Sequence, residues 1–377
     1  MMWTISDTYE QSRRASEKDA EMIRRTAEHT LDTYMQHIPG ITREELGRRL
    51  QESNRERMDA VPDLNTYPEL RGMREILDAE WRGTRDGAKL DDEQWAAVCN
   101  RNFYMHRHVY GEVGREKHGC TCIYFPDSEH GPILAVNLDT NLEEPYGPPE
   151  WPAWNEHIIV GGVSSGIWGD EPSPEIFPAP KDKILSRYAR STDEAVEILE
   201  RYKLFGTPGN LLIIDRNSNI AMVEMSSCRI GVRRSKDGFG FITAMTAEDP
   251  SFRAYLDETR DASLNARKLP KDCDDTKYWE KCDKRRELLK DMLDEAREQP
   301  TLEKLRSMIQ CRDPKRGYVC YNGDPIQPGG PPLEWTMRTA IWMLNEERAI
   351  WWSKEGDAPS WETRMADVEF KDELPWN

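Results

Sequence analysis

A chain of 377 residues has room for one large domain or two average ones, and its 13 Trp, 13 Tyr and 8 Phe can furnish a core although 32% of residues are charged. The formal net charge of −17 argues against non-specific binding to nucleic acid or to an anionic membrane, since both need a basic face. Met1–Asp7 has no basic start leading into an apolar run, and no stretch approaches the roughly 18 apolar residues of a membrane span, so a soluble, cytoplasmic protein is expected.

In chain order, the first ~105 residues read as helices. Tyr9–Met35 carries Met22, Ile23, Ala27, Leu31 and Tyr34 as an amphipathic stripe, ended by Pro39-Gly40. Thr42 caps a second helix, a third spans Tyr67 to Trp81, and a fourth follows Asp91-Asp92-Glu93. The character changes at Gly119. Cys120–Phe125 and Ile133–Leu138 form an expected hairpin around Pro126-Asp127-Ser128. Asn141–Ala153 reads as a loop, and Ile158-Ile159-Val160 as a strand entering a tight turn at Gly161–Gly166. Helices are expected over Lys181–Ala189 and Thr192–Leu204. A meander of Leu211–Ile214, Ile220–Met225, Arg229–Arg234 and Phe239–Thr243 follows. Asp249–Glu298 and Thr301–Met308 read as helical. Gly317–Tyr321, Trp335–Leu344 and Ala349–Ser353 are the last expected strands, before an irregular tail after Asp357. This order suggests two sheets covered by helices, an α+β layered domain.

The chemistry concentrates at His118-Gly119-Cys120-Thr121-Cys122, followed by Asn137-Leu138-Asp139. A thiol is a good nucleophile once deprotonated. Were Cys120 the first residue of a chain, its own α-amine, with an unperturbed pKa of about 7.7–8.0, would serve as the base. Gly119 lets the backbone adopt the geometry that thiol attack on the Gly119 carbonyl requires. Strand alternation puts Cys120, Cys122 and Tyr124 on one face, and Asp139 ends the paired strand, where it can orient the new amine. A Gly-Cys pair before a strand is also a packing pattern, because Cys is commonly buried.

Gly119-Cys120-Thr121 followed by Asn137-x-Asp139 resembles the acyl-coenzyme A:6-aminopenicillanic-acid acyltransferase family of N-terminal-nucleophile hydrolases. Tyr67–Met73 leading to Cys99-Asn100-Arg101 resembles the end of that family's helical pro-segment. Ser191–Ala195, Gly206–Asp215, Val223–Ser226, Tyr318–Cys320 and Trp352–Gly356 resemble its later elements. The likeness spans about residues 65 to 360 and is sharpest around Cys120.

The resemblance implies a four-layer αββα sandwich with a helical N-terminal pro-segment, residues 1–119, and a catalytic chain, residues 120–377. It implies cleavage between Gly119 and Cys120, an acyl-enzyme on Cys120, and Asp139 as the acidic partner. No cofactor and no metal is expected. The expected substrate is a small acylated amine, peptide or lactam, with acyl-coenzyme A as an acyl donor the resemblance allows and homo-oligomer formation left open. The sequence departs from the family at Ile242–Glu248, which lacks the Asn that helps stabilise the oxyanion, and at Gly162–Gly166, which lacks a second Asn. Asn137, Thr243 and Thr246, or backbone N–H groups, are the candidate substitutes. The same departures motivate a second reading, a catalytically silent member acting as a binding or scaffold protein.

Other features have plainer readings beside functional ones. The eight cysteines include no C-x-x-C pair, so free thiols are expected rather than a zinc module. Cys122 reads as strand packing or as a second thiol, and His106, His108 and His118 as pro-segment or as metal ligands. Glu224 reads as a buried, pKa-shifted group or as a partner of Arg229 or Arg233. Trp151, Trp154 and Trp168 read as core or as acyl-pocket lining, and the helix Lys281–Arg297 as solvated surface or as a face for coiled association.

Overall fold

The computed structural model describes residues 5–59, 72–100, 119–140, 153–165, 181–202, 209–226, 229–244, 246–259, 275–321, 335–346, 348–353 and 365–369. The chain divides into two compact units, Met1–Arg115 and Glu116–Asn377.

The first unit holds α1 (Ile5–Lys18), α2 (Ala20–His37), α3 (Arg43–Asp59), α4 (Met73–Ala88) and α5 (Asp92–Asn100). The single helix expected over Tyr9–Met35 is therefore two, parted at Asp19, whose ψ of 17° leaves the helical region. The reason lies in their partners. α1 packs on α4, whereas Leu31 and Tyr34 of α2 enter a cluster with Leu46 and Leu50 of α3 and Ala96 and Ala97 of α5. The third helix continues past Trp81 to Ala88, and residues 60–71 lie outside the described ones.

Two glycines explain how α4 approaches α1 so closely. A Cβ on Gly83 would stand 2.4 Å from the Tyr9 carbonyl oxygen, and one on Gly87 2.2 Å from that of Arg13. Ser12 Oγ donates to the Glu80 carbonyl at 2.7 Å across the same contact. Gly87→Ala would normally gain about 1 kcal/mol of helix propensity. Here the methyl meets backbone, so the expected outcome is a net loss of about 1–3 kcal/mol, read as a lower urea midpoint of the helical unit. An unchanged or raised midpoint would show that the two helices part freely.

The second unit is built on two antiparallel sheets. Its elements are β1 (Gly119–Phe125), β2 (Ile133–Thr140), β3 (Ala153–Trp154), β4 (Ile158–Ser165), α6 (Lys181–Tyr188) and α7 (Thr192–Tyr202). Then come β5 (Gly209–Asp215), β6 (Ile220–Met225), β7 (Ile230–Arg234), β8 (Gly240–Thr243), α8 (Pro250–Glu258), α9 (Asp275–Ala296) and α10 (Leu302–Ile309). The chain ends with β9 (Arg312–Asp313), β10 (Gly317–Tyr318), β11 (Trp335–Met343), β12 (Arg348–Ser353) and β13 (Met365–Glu369). The first sheet runs β13-β12-β11-β2-β1-β8, the second β3-β4-β5-β6-β7, and β9 and β10 form a separate ribbon.

Strand alternation gives the first sheet two buried faces. Ile123, Phe125, Ala135, Phe241 and Ile341 pack on Leu288, Leu289 and Leu293 of α9 and Leu305, Met308 and Ile309 of α10. Cys122, Tyr124, Leu134, Ile242 and Trp342 face Ile159, Leu212, Ile214, Ile220 and Met222 of the second sheet. The sheets come close at Gly161, where a Cβ would lie 2.8 Å from Leu134 Cδ2. Beyond the second sheet lie α6 and α7, with Leu185, Ala195 and Leu199 buried. The order of layers is helix, sheet, sheet, helix.

Several expectations are corrected by non-local pairing. β8 does not continue the meander of the second sheet: it crosses to pair with β1 in the first. Among the described residues, Gly317-Tyr318 pairs with Arg312-Asp313 and not with the large sheets. The tail contains β13, antiparallel to β12. β4 runs on to Ser165 through a register shift between Gly161 and Ser164, rather than ending in a tight turn at once. Of Asp249–Glu298, α8 and α9 are helical, and 260–274 lie outside the described residues. Among the described residues, no helix is long and apolar enough to cross a membrane.

Candidate active site

The β1–β2 hairpin places the predicted residues. Gly119 pairs with Asp139, Cys120 with Leu138, and Thr121 with Asn137. On its other edge β1 pairs with β8, Thr121 opposite Thr243. Just past β8, the Ala244 N–H donates to the Cys120 carbonyl at 3.0 Å. Cys120 is thus the second residue of an interior strand and is held from both sides. Its side chain is 4% exposed and shares the face of Cys122 and Tyr124, toward the second sheet. Asp139 lies on the opposite, helix-covered face, across from the residue that cleavage would remove.

Asp139 is fully buried, and a carboxylate there needs matched partners. Thr336 Oγ1 donates to Oδ1 at 2.6 Å, and the Tyr321 N–H donates to that same threonine oxygen at 2.8 Å. Arg285 Nη1 stands 3.4 Å from Oδ2, while Arg285 Nη2 donates to the Ala244 carbonyl at 3.1 Å. One guanidinium therefore joins the acid to the strand end that holds Cys120. Arg285 was missed in the sequence, where Lys281–Arg297 reads as solvated surface, yet it is only 2% exposed. The signal was present: Cys282, Arg285, Leu289 and Leu293 recur at helical spacing on a stripe whose other members are apolar.

The remaining candidates separate by their hydrogen bonds. Asn137 is fully buried on the face of Asp139. Its Nδ2 donates to the carbonyls of Ile309 at 2.7 Å and Val319 at 3.1 Å, and its Oδ1 accepts from Thr339 Oγ1 at 2.7 Å. Both amide protons are committed to fastening α10 and the ribbon to the sheet. Thr243 Oγ1 is 3.4 Å from Thr121 Oγ1, on the helix side. Thr246 differs: it is 3% exposed and its Oγ1 has no hydrogen-bond partner. Of the three, Thr246 is the one whose side chain makes no hydrogen bond.

Cys122 is poorly suited to attack. Burial first, then the neighbouring Cys120, pushes it well above the ordinary thiol range. Glu224 is buried, and that burial raises its carboxyl above the ordinary range against the opposing pull of Arg233, whose Nε donates to Oε1 at 3.0 Å. Trp154 packs against the cluster between the sheets. Trp151, Trp168, His106, His108 and His118 lie outside the described residues. Among the described residues, Cys120, Cys122, Cys282, Cys311 and Cys320 are free thiols, and no group of three or more His, Cys, Asp or Glu side chains is placed to hold a metal.

No family model matches the sequence, and no curated protein matches it. Solved structures do show a likeness in shape. A variant of conjugated bile acid hydrolase from Clostridium perfringens superposes with a TM-score of 0.35 at 10% identity, covering 68% of this chain and 86% of that one. A second variant of the same hydrolase gives 0.33 at 10% identity, over 70% and 88%. Penicillin V acylase from Agrobacterium tumefaciens gives 0.34 at 12% identity, over 69% and 81%.

Proposed function

We propose that the chain is a self-processing thiol amidohydrolase or acyltransferase, an αββα sandwich of the N-terminal-nucleophile type. The observation that carries this reading is the start of β1. Cys120 is the second residue of an interior strand, and Gly119, the first, is paired with a fully buried Asp139 that Thr336 and Arg285 hold.

The chemistry follows in balanced steps. Cys120 Sγ attacks the Gly119 carbonyl carbon, the Gly119–Cys120 C–N bond breaks, and the thiol's proton passes to the nitrogen, which becomes the α-amine of Cys120. Water hydrolyses the resulting thioester, releasing the Gly119 carboxylate and the thiol. In turnover the amine takes the thiol proton, and the thiolate attacks the substrate's amide carbonyl. The tetrahedral oxyanion collapses, the leaving amine takes the proton, and an acyl thioester remains on Cys120. Water or an acceptor amine then removes the acyl group. Asp139 orients the new amine, and the uncommitted hydroxyl of Thr246, or N–H groups of its segment, faces the oxyanion. The substrate class is a small N-acylated amine, peptide or lactam.

The intact denatured mass of freshly purified protein tests this directly. Two species, residues 1–119 and 120–377, are the expected result. One stable full-length species would overturn self-processing and favour the second reading, a silent binding protein. The commitment of both Asn137 amide protons to backbone carbonyls and the lack of an Asn in 242–248 are the observations behind that alternative.

A further inference from the structure

Two buried polar residues stand among the apolar ones of the second sheet. Asn210 on β5 and Glu224 on β6 alternate in step with Leu212 and Ile214, and with Ile220 and Met222, so both point toward the first sheet. They are 1% and 2% exposed. An amide and a carboxylate in such a place are costly unless matched. Both are matched, largely to backbone, and the backbone they hold is the segment beside Cys120.

Asn210 Nδ2 donates to the Thr243 carbonyl at 2.9 Å, and its Oδ1 accepts from the Met225 N–H at 3.1 Å. Glu224 Oε1 accepts from the Glu248 N–H at 2.9 Å, and Oε2 from the Asp249 N–H at 2.9 Å. Arg233, bound to Glu224 at 3.0 Å, also donates to the Phe241 carbonyl at 3.2 Å. Thr243 on one side of Thr246, and Glu248 and Asp249 on the other, are thus tied to the second sheet. Between the ties, Ala244 donates to the Cys120 carbonyl, and Thr246 keeps a buried hydroxyl without a partner. Donors fixed in advance act on a developing charge without reorganising, which is what oxyanion stabilisation requires.

We infer that Asn210 and Glu224 are positioning residues for acyl transfer: from across the sandwich they clamp the 243–249 strap so that its donors meet the oxyanion formed at Cys120. The inference rests on the function proposed above, and it supplies what the absence of an Asn in 242–248 leaves open.

Two electrophiles separate a positioning role from a structural one. p-Nitrophenyl hexanoate acylates a thiol through a tetrahedral oxyanion and releases p-nitrophenolate. Iodoacetamide alkylates the same thiol by displacing iodide, with no oxyanion. Both reactions are followed at the Cys120 peptide by mass spectrometry in the full chain. Asn210→Asp keeps the acceptor for Met225 but sets an oxygen against the Thr243 carbonyl. Glu224→Gln keeps the shape but turns an NH2 group toward a backbone N–H. Each is expected to slow acylation about 10–100-fold, with alkylation changed less than about threefold. Thr246→Val, which breaks neither tie, is expected to show the same split. Unchanged acylation in both clamp variants would overturn the inference, and so would parallel loss of both reactions, which marks a purely structural role. A parent protein whose Cys120 is alkylated but never acylated would overturn the proposed function itself, and the inference with it.

Discussion

Cys120→Ala yields one uncleaved 377-residue species and no acyl-enzyme, a complete loss rather than a slowing. The reason is that both proposed steps use the same sulfur, first on the Gly119 carbonyl and then on substrate. The change removes one buried sulfur from a strand hydrogen-bonded on both sides, so its cost to stability is modest, on the order of 1 kcal/mol. Cys122→Ala is the control. That thiol is two residues along the same face, fully buried, and pushed well above its ordinary range, so its removal leaves processing intact. Intact mass and acyl labelling of the two variants settle the matter. Processing in Cys120→Ala, or its loss in Cys122→Ala with the fold retained, would remove Cys120 from its assigned role.

Arg285→Ala carries the second large effect. Truncating it strips a guanidinium from beside a carboxylate with no exposure to solvent, and it also releases the Ala244 carbonyl. Breaking a buried pair by removing one member costs about 3–5 kcal/mol. The expected result is a urea midpoint lowered accordingly and self-cleavage slowed at least about tenfold in the protein that remains folded. A double variant, Asp139→Ala with Arg285→Met, leaves no charge stranded. It should recover about 1–3 kcal/mol relative to the sum of the single changes while forming acyl-enzyme at least about tenfold more slowly. If Arg285→Ala melts like the parent, the 3.4 Å contact contributes little. If the double variant forms acyl-enzyme normally, Asp139 has no part in the chemistry.

Local pattern carried much of this protein. The β1–β2 hairpin, the strands β5 and β6, and the helices α6, α7 and α10 were legible because each has its own periodicity and turn residues. Gly119-Cys120 and Asp139 stood out because a glycine, a thiol and an acid on neighbouring strands form a chemical set before any fold is known. The apolar strand around Glu224 marks its side chain as buried, and Arg233, one of two arginines in reach on the sequence, is its partner in the fold.

What the tertiary structure decided is which of these meet. β8 reads as the fourth strand of a meander, and only its hydrogen bonds to β1 bring Thr243 and the strap behind it to Cys120. Arg285 reads as one more charge on a charged helix, because burial depends on what α9 packs against, and that is not written in α9. Asn137 shows the reverse case: its residue type suits an oxyanion donor, but its fold neighbours are two backbone carbonyls that take both its protons. Residue type and short spacing, together with the family resemblance, were enough to single out Cys120, Gly119 and Asp139 as the candidate set. The tertiary structure alone decided the charge partner of the acid and the segment clamped beside the thiol, because hydrogen bonding between distant strands is paid for by burial of the whole sandwich and leaves little local trace.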